Sequence, residues 1–295
     1  MAQARVSGPS QGGVLVWLSK KNRGYYVLAY VILAFLTVWT VLPFYWQVAT
    51  SLRKDVDLYS PTVTLIPRAI TPEHYQKVLG PQSPFGGQFA NSLIVALWTT
   101  VIAVVIGSMA GYALTRLSFF ARAGIARLLV YAYLAPGTIL FIPLFVLMLN
   151  LGLRDTLTGL TLTHLTFSVP FATWMLMGYF KSLPVEMEEA ALVDGASRFT
   201  ALWWIVVPLS APAVVVVAVF AFTLSWNEFL YALVLVQAKD KMTAPIGLTS
   251  YVVADIFYWG QMMAAATMMS LPPIILYFFG QRWVVQGWTA GAVKN

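Results

Sequence analysis

The chain has 295 residues, 59% of them hydrophobic and only 10% charged, with a mean hydropathy of +0.76. That composition excludes an ordinary soluble domain and points to a polytopic membrane protein. The net charge of +7 does not indicate nucleic acid, because no basic stripe interleaves with aromatics on a soluble stretch; it reads as the positive excess of cytoplasmic loops.

Residues Met1 to Gly24 hold Arg5, Lys20, Lys21 and Arg23 and no acid. The apolar run Val14–Leu18 is too short to span and suits the membrane interface. The run behind it is too long for a signal peptide and lacks a small-residue cleavage site. Six spans are predicted, forming an all-α body over residues 25–286. The first is Tyr25 to Thr50, about 39 Å long as a helix and enough to cross with some tilt. A polar loop, Leu52 to Gln88, carries Pro61, Pro67, Pro72, Pro81 and Pro84. The second span, Phe89 to Thr115, contains Gly107 and Gly111 at small-xxx-small spacing, which admits close helix approach. That stripe serves either a crossing at a pore or packing inside the subunit, the second being the commoner use. Arg116, Arg122 and Arg127 flank the loop to the third span, Ile125 to Leu151, which Pro136 and Pro143 are expected to kink. The fourth, Gly159 to Phe180, is expected to bend near Pro170. The fifth is Leu209 to Val236 and the sixth Met262 to Val285, with a polar loop Gln237–Gln261 between them. Residues 287–295 form a short polar tail.

The stretch 181–208 between the fourth and fifth spans reads as a folded helix pair. Pro184 can open a helix, and Glu186, Glu188 and Glu189 then lie near its positive end. Asp194-Gly195 reads as its stop, with Gly195 free to adopt the left-handed cap. Ser197 can cap a second helix, Phe199 to Val207, ending before Pro208. Small Ala190 and Ala191 let a partner approach, and Glu189 offers it a charge. An amphipathic patch of this kind on a polytopic protein is a docking surface.

Lys/Arg counts near the spans are eleven inside and seven outside if the N-terminus is inside, which places both termini and the 181–208 loop in the cytoplasm. No G-x-x-x-x-G-K-[ST] phosphate loop or H-E-x-x-H pattern occurs, so the chain is not expected to hydrolyse ATP or hold a metal itself. There is no cysteine. His74 and His164 stand alone and read as loop or helix-end histidines rather than ligands. No Ser has a plausible His/Asp set.

Glu189-Ala190-Ala191, Gly195, Ile205 and Pro208 stand at the spacing EAA, three residues, Gly, nine residues, I-x-L-P. This loop resembles the signature of permease subunits of bacterial ABC importers, with Val207 in place of the usual Leu. Val193-Asp194-Gly195-Ala196-Ser197 and the terminus QRWVVQGWTAGAVKN are similar to the carbohydrate-uptake, maltose-type branch, as are Phe89–Leu97, Ala110–Phe119 and Ser225–Phe229. The resemblance runs from about Leu42 to Asn295. It implies a multi-pass subunit of the bacterial cytoplasmic (inner) membrane that translocates a sugar or oligosaccharide. It also implies a second related permease, two copies of a cytoplasmic ATPase that bind ATP and magnesium, and an extracytoplasmic sugar-binding protein. Glu186, Glu189, Ala190, Ala191, Asp194, Gly195, Ala196, Ser197, Ile205 and Pro208 would then couple to the ATPase. Gly287, Thr289, Gly291 and Lys294 of the tail would reach into its interface.

Glu228 lies inside the predicted fifth span, where an ionisable group must face a polar interior. With Trp226, Asn227 and Tyr231 it lines a sugar path, or it is a packing or gating residue bonded across helices, or it carries protons. The last would make the chain a proton-coupled secondary transporter, although no basic or His relay partner is evident nearby in the sequence and no inverted repeat is seen. An ABC permease for a non-sugar solute is a further alternative. The resemblance implies that the partner permease, rather than this subunit, holds the sugar.

Overall fold

The computed structural model describes residues 23–62 and 64–292, with side chains described from 24 to 283 except residue 63. The run Val14–Leu18 and Lys294 lie outside the described residues. The helices are α1 (Arg23–Ser51), α2 (Asp55–Leu58), α3 (Glu73–Leu79), α4 (Phe85–Arg116), α5 (Arg122–Leu134), α6 (Gly137–Asn150) and α7 (Leu157–Phe180). Then come α8 (Glu186–Val193), α9 (Arg198–Leu209), α10 (Ala211–Trp226), α11 (Leu230–Leu235), α12 (Ala244–Thr249) and α13 (Trp259–Ala292). A small antiparallel hairpin, β1 (Val252–Val253) with β2 (Ile256–Phe257), is the departure from an all-helical chain among the described residues.

Three helices are long and apolar enough to cross a membrane alone: Gly24–Ser51, Phe85–Arg116 and Trp259–Trp283. Two apolar pairs are sharply bent, α5 with α6 by 100° and α9 with α10 by 84°. Helix α7 has 24 residues, a sufficient length, but is rich in Thr. It packs against α4, α5 and α10, so Thr161, Thr163, His164, Ser168 and Thr173 are buried in protein. Its hydroxyls turn back to the helix: those of Thr161, Thr163 and Thr173 each donate to the carbonyl four residues earlier at 2.8 Å, which satisfies them without a partner helix.

Several predicted spans are corrected. The third is broken rather than kinked: Ala135, preceding Pro136, is extended at φ −62, ψ 130, as the proline ring requires of its neighbour. Pro143 and Pro170 instead lie inside unbroken helices. The fifth span is interrupted at Asn227–Phe229. The second helix of the 181–208 segment does not stop before Pro208. A π-turn over Leu202–Val206 routes the Val207 N–H to the Leu202 carbonyl, and this wider turn admits the following proline without the clash of a regular helix. The tail continues as α13 backbone to Ala292.

The spine of the bundle is the α4–α7 pair. A Cβ at Gly107 would lie 2.7 Å from the Ala172 Cβ, and one at Gly111 would lie 3.2 Å from the Met177 backbone nitrogen. The glycine stripe therefore packs helices within this subunit. Around it, Ala103, Tyr112, Leu176 and Phe180 form one core with Leu202 and Val206 of the π-turn and Val217 and Ala221 of α10. The 181–208 segment is thus seated in the helix bundle. By contrast α1 packs on α13, where Gln47 Nε2 donates to Ser270 Oγ at 3.2 Å, and most of its other side chains are exposed.

Asp155, in the α6–α7 connection, has φ +58. Its carboxylate accepts from the Gln237 and Ala238 N–H groups, the latter at 2.9 Å, and these backbone donors hold its pKa below the ordinary carboxylate value. The clamp therefore stabilises in full above the usual carboxylate range and is lost as pH falls through the folded value.

Two outcomes are expected. Gly107→Val should destabilise the detergent-solubilised protein by about 1–3 kcal/mol through overpacking, whereas Gly178→Ala, with open space around its Cβ, should not lower the melting temperature. The amide protection factors at Gln237 and Ala238 should hold through the ordinary carboxylate range and fall only below it, where Asp155 takes up its proton, and Asp155→Asn, which tolerates the same backbone, should abolish that pH dependence.

Candidate functional site

The 181–208 segment folds by local chemistry. Helix α8 has Glu186, Glu188 and Glu189 in its first turn, where the unpaired N–H groups favour acids. It ends in a paired stop: Gly195, at φ +89, donates its N–H to Leu192 O at 3.1 Å, and Ala196 donates to Ala191 O at 2.9 Å. That is the Schellman arrangement, and the left-handed residue is the expected glycine. Ser197 Oγ accepts from the Thr200 N–H at 3.1 Å and opens α9.

The surface of this unit presents Glu186, Glu189, Ala190, Asp194, Gly195, Ser197 and Pro208, while Ala191, Ala196 and Ile205 are half-buried. Val193 is 88% and Phe199 63% exposed, an apolar contribution that the sequence reading passed over. An acidic and apolar face of this kind suits a protein partner carrying cations and a hydrophobic groove.

Sequence reasoning also missed Glu188. It is only 3% exposed. Its carboxylate accepts from the Tyr112 hydroxyl, and it pairs with Arg116 Nε at 3.1 Å and Arg198 Nη1 at 3.8 Å. Arg116 also donates to the Leu183 carbonyl at 2.9 Å. The available signal was helical spacing: Glu188 shares the inward face with Ala191 and Leu192, three and four residues on.

A second acid stands at the break of the fifth span. Asn227 turns its amide back to Thr223 O at 3.0 Å, and Glu228 accepts the N–H groups of Tyr231 and Ala232 at 2.8 and 3.0 Å. The carboxylate thereby satisfies the free donors that open α11. It is also not isolated, which corrects the expectation. His164 Nε2 lies 3.3 Å from Glu228 Oε2, and His164 Nδ1 lies 2.7 Å from Ser225 Oγ. His164 is therefore no loop or helix-end histidine but a 1% exposed residue within α7. His74 is equally buried, with Nε2 2.7 Å from Arg53 O. The seam extends through the Tyr231 hydroxyl, which donates to Gly137 O at 2.6 Å, so the breaks of the third and fifth spans are bonded to each other.

Trp226 does not belong on an open path. It is 1% exposed, stacked on Phe222, edge-on to Phe89, and donates Nε1–H to Met269 O at 3.0 Å. Gly287, Thr289 and Gly291 lie on the α13 backbone, and their side chains are outside the described residues, as is Lys294.

His164→Leu should leave the Glu228 carboxylate without its partner from α7 and destabilise the protein by about 1–3 kcal/mol, the cost of an unmet buried polar group. Adding Glu228→Gln should recover part of that loss, read as a melting-temperature cycle in detergent.

The family model described as the binding-protein-dependent transport system inner membrane component matches residues 103–289. The chain is 36% identical to the inner membrane ABC transporter permease protein YcjP of Escherichia coli (strain K12), across 89% of this chain and 94% of that protein. It is also 36% identical to the trehalose transport system permease protein SugB of Mycobacterium tuberculosis (strain CDC 1551 / Oshkosh), across 87% of this chain and 93% of that one. In fold it is similar to a chain of a bacterial ABC transporter involved in the import of the acidic polysaccharide alginate, with a TM-score of 0.78 at 23% identity, covering 90% of this chain and 98% of the other. The resemblance read from the EAA-type loop is met by these matches. The chain belongs to the binding-protein-dependent transport system inner membrane component family and is an integral membrane permease subunit of an ABC importer.

Proposed function

We propose that this chain is one membrane half of an importer for a sugar or oligosaccharide in the bacterial cytoplasmic membrane. The spans are α1, α4, α5–α6, α7, α10–α11 and α13, with both termini and the 181–208 loop inside. The assembly contains a second related permease, two copies of an ATPase that holds ATP and magnesium, and an extracytoplasmic sugar-binding protein. This chain is non-catalytic and binds no cofactor. The sugar class rests on what SugB is named for and on the resemblance of the C-terminal residues.

The observation that carries this reading is the docking loop: an exposed acidic face on a helix with a built stop and a built restart, whose base is in the bundle core. In mechanism, closure of the ATPases moves α8 as a lever through Glu186, Glu189, Ala190, Ala191 and Asp194. Gly195, Ala196 and Ser197 keep the α8–α9 angle, and Ile205 and Pro208 carry the motion along α9. The tail residues Gly287, Thr289, Gly291 and Lys294 complete the ATPase interface. The energy enters as stronger ATPase binding to one membrane state than to the other. Asn227 and Glu228 at the span break are the groups of this chain assigned to the substrate path, without Trp226 and Tyr231, both buried in packing.

Gly195→Pro tests the lever. Proline is fixed near φ −65° and cannot take the φ of +89 that Gly195 holds. Uptake into vesicles carrying the full importer should fall to background while the ATPase still hydrolyses ATP; normal uptake would contradict the lever. A second reading, proton coupling, gains support from the His164–Glu228 pair. Under it Glu228→Gln abolishes uptake driven by a pH gradient alone, whereas ATP-driven uptake survives this change in part.

A further inference from the structure

The three glutamates of α8 do not share one environment. Glu186 and Glu189 are exposed and free to meet a partner, whereas Glu188 points into the bundle and has no access to a docked protein. Its partners come from two other elements. Tyr112 and Arg116 sit one helical turn apart on the inner end of α4, and Arg198 is the first residue of α9. Immediately before Tyr112 the same helix is pressed onto α7, where Gly111 meets the Met177 backbone. Arg116 also holds the Leu183 carbonyl in the connection from α7 to α8.

We infer that Glu188 is a positioning residue that fixes α8 rigidly to the inner end of α4, so that a pull on α8 reaches the α4–α7 spine without slack. This inference rests on the reading of 181–208 as the ATPase seat. The physical ground is the difference between apolar and ionic contacts. An apolar face can slide over its neighbour while staying buried. A buried carboxylate cannot leave its cations and hydroxyl without standing unpaired in a poorly solvated place. The link is therefore stiff in the direction in which a docked partner would move α8. The α9 side is held by the same group through Arg198, so one carboxylate sets the position of both docking helices relative to α4.

The test uses the assembled importer with both permeases, the ATPase and the binding protein. The chain has no cysteine, so Val185→Cys and Phe120→Cys give a unique spin-label pair within this subunit. Val185 is 41% and Phe120 98% exposed. The turn bearing Phe120 is clamped to α4 by Arg122, which donates to Leu114 O, Leu117 O and Thr115 O at 2.8, 3.2 and 3.0 Å. With Glu188 intact, the distance between the labels should be the same in the nucleotide-free and ATP-bound states; a state-dependent shift overturns the tether. With Glu188→Gln, the distance distribution should broaden, and substrate moved per ATP hydrolysed should fall about tenfold, within the range of mutations that weaken coupling between sites. Arg116→Lys, which keeps the charge, should retain most of that ratio, and Arg116→Gln should not. A purely architectural role would lower yield or melting temperature and leave the ratio unchanged, and that result too overturns the inference. If Glu188→Gln does not assemble, the label distances in the protein with Glu188 intact decide alone. An importer that takes up substrate without ATP refutes the functional reading; one that couples normally while α8 shifts against α4 refutes only the tether.

Discussion

A carboxylate taken out of water must be met by charge or by N–H and O–H donors, and two acids of this chain determine much of its architecture on those terms. At one end of the bundle Glu188 gathers Tyr112, Arg116 and Arg198 around it. Toward the other, Glu228 closes the open end of α11 and meets His164. Neither group could be buried alone, so each brings separate helices into a fixed relation. A membrane bundle cannot rely on water expulsion to hold helices together, because lipid is as apolar as the side chains. Polar links and close glycine contacts supply the specificity instead.

Between these two points runs the α4–α7 spine. Gly107 and Gly111 let the backbones approach, and the hydroxyls of Thr161, Thr163 and Thr173 bond back to α7 itself. The core that includes Leu176 and Phe180 also includes Leu202 and Val206 of the 181–208 segment. Movement of the loop is therefore movement of a core wall. The seam Ser225–His164–Glu228–Tyr231–Gly137 meets the same α7 through His164 and joins the two places where spans are interrupted. Broken helices give a bundle defined places to bend, since their freed backbone groups are already satisfied by side chains.

Much of this was legible in the sequence, for local reasons. The helix pair of 181–208 announced itself through Asp194-Gly195 and Ser197, residue types whose backbone preferences and short-range hydrogen bonds do not depend on the rest of the fold. The long apolar helices α1, α4 and α13 cover the runs that hydropathy marks, because a sufficient apolar length is itself a local property. What the sequence withheld was tertiary. Nothing local separates Glu188 from Glu186 and Glu189 except which side of the helix the bundle happens to cover. The His164–Glu228 pair joins residues far apart in the chain. The interruption at Asn227–Phe229 hides in an apolar run whose composition continues through Leu230–Leu235. Pro208 signalled a helix end, but the π-turn before it absorbed the proline instead, an outcome decided by the packing of Leu202 and Val206. Trp226 looked available beside Asn227 and Glu228, and only the positions of Phe222, Phe89 and Met269 show that it is sealed.

The central claim is that the 181–208 unit is a cytoplasmic seat for an external motor. The most direct check is sidedness. In the chain carrying Val193→Cys, a residue 88% exposed in the native protein, a membrane-impermeant thiol reagent should label inside-out vesicles and leave intact spheroplasts unlabelled, and added ATPase subunit should shield the site. Labelling from the outer face of intact spheroplasts, or labelling indifferent to the ATPase, would contradict the account.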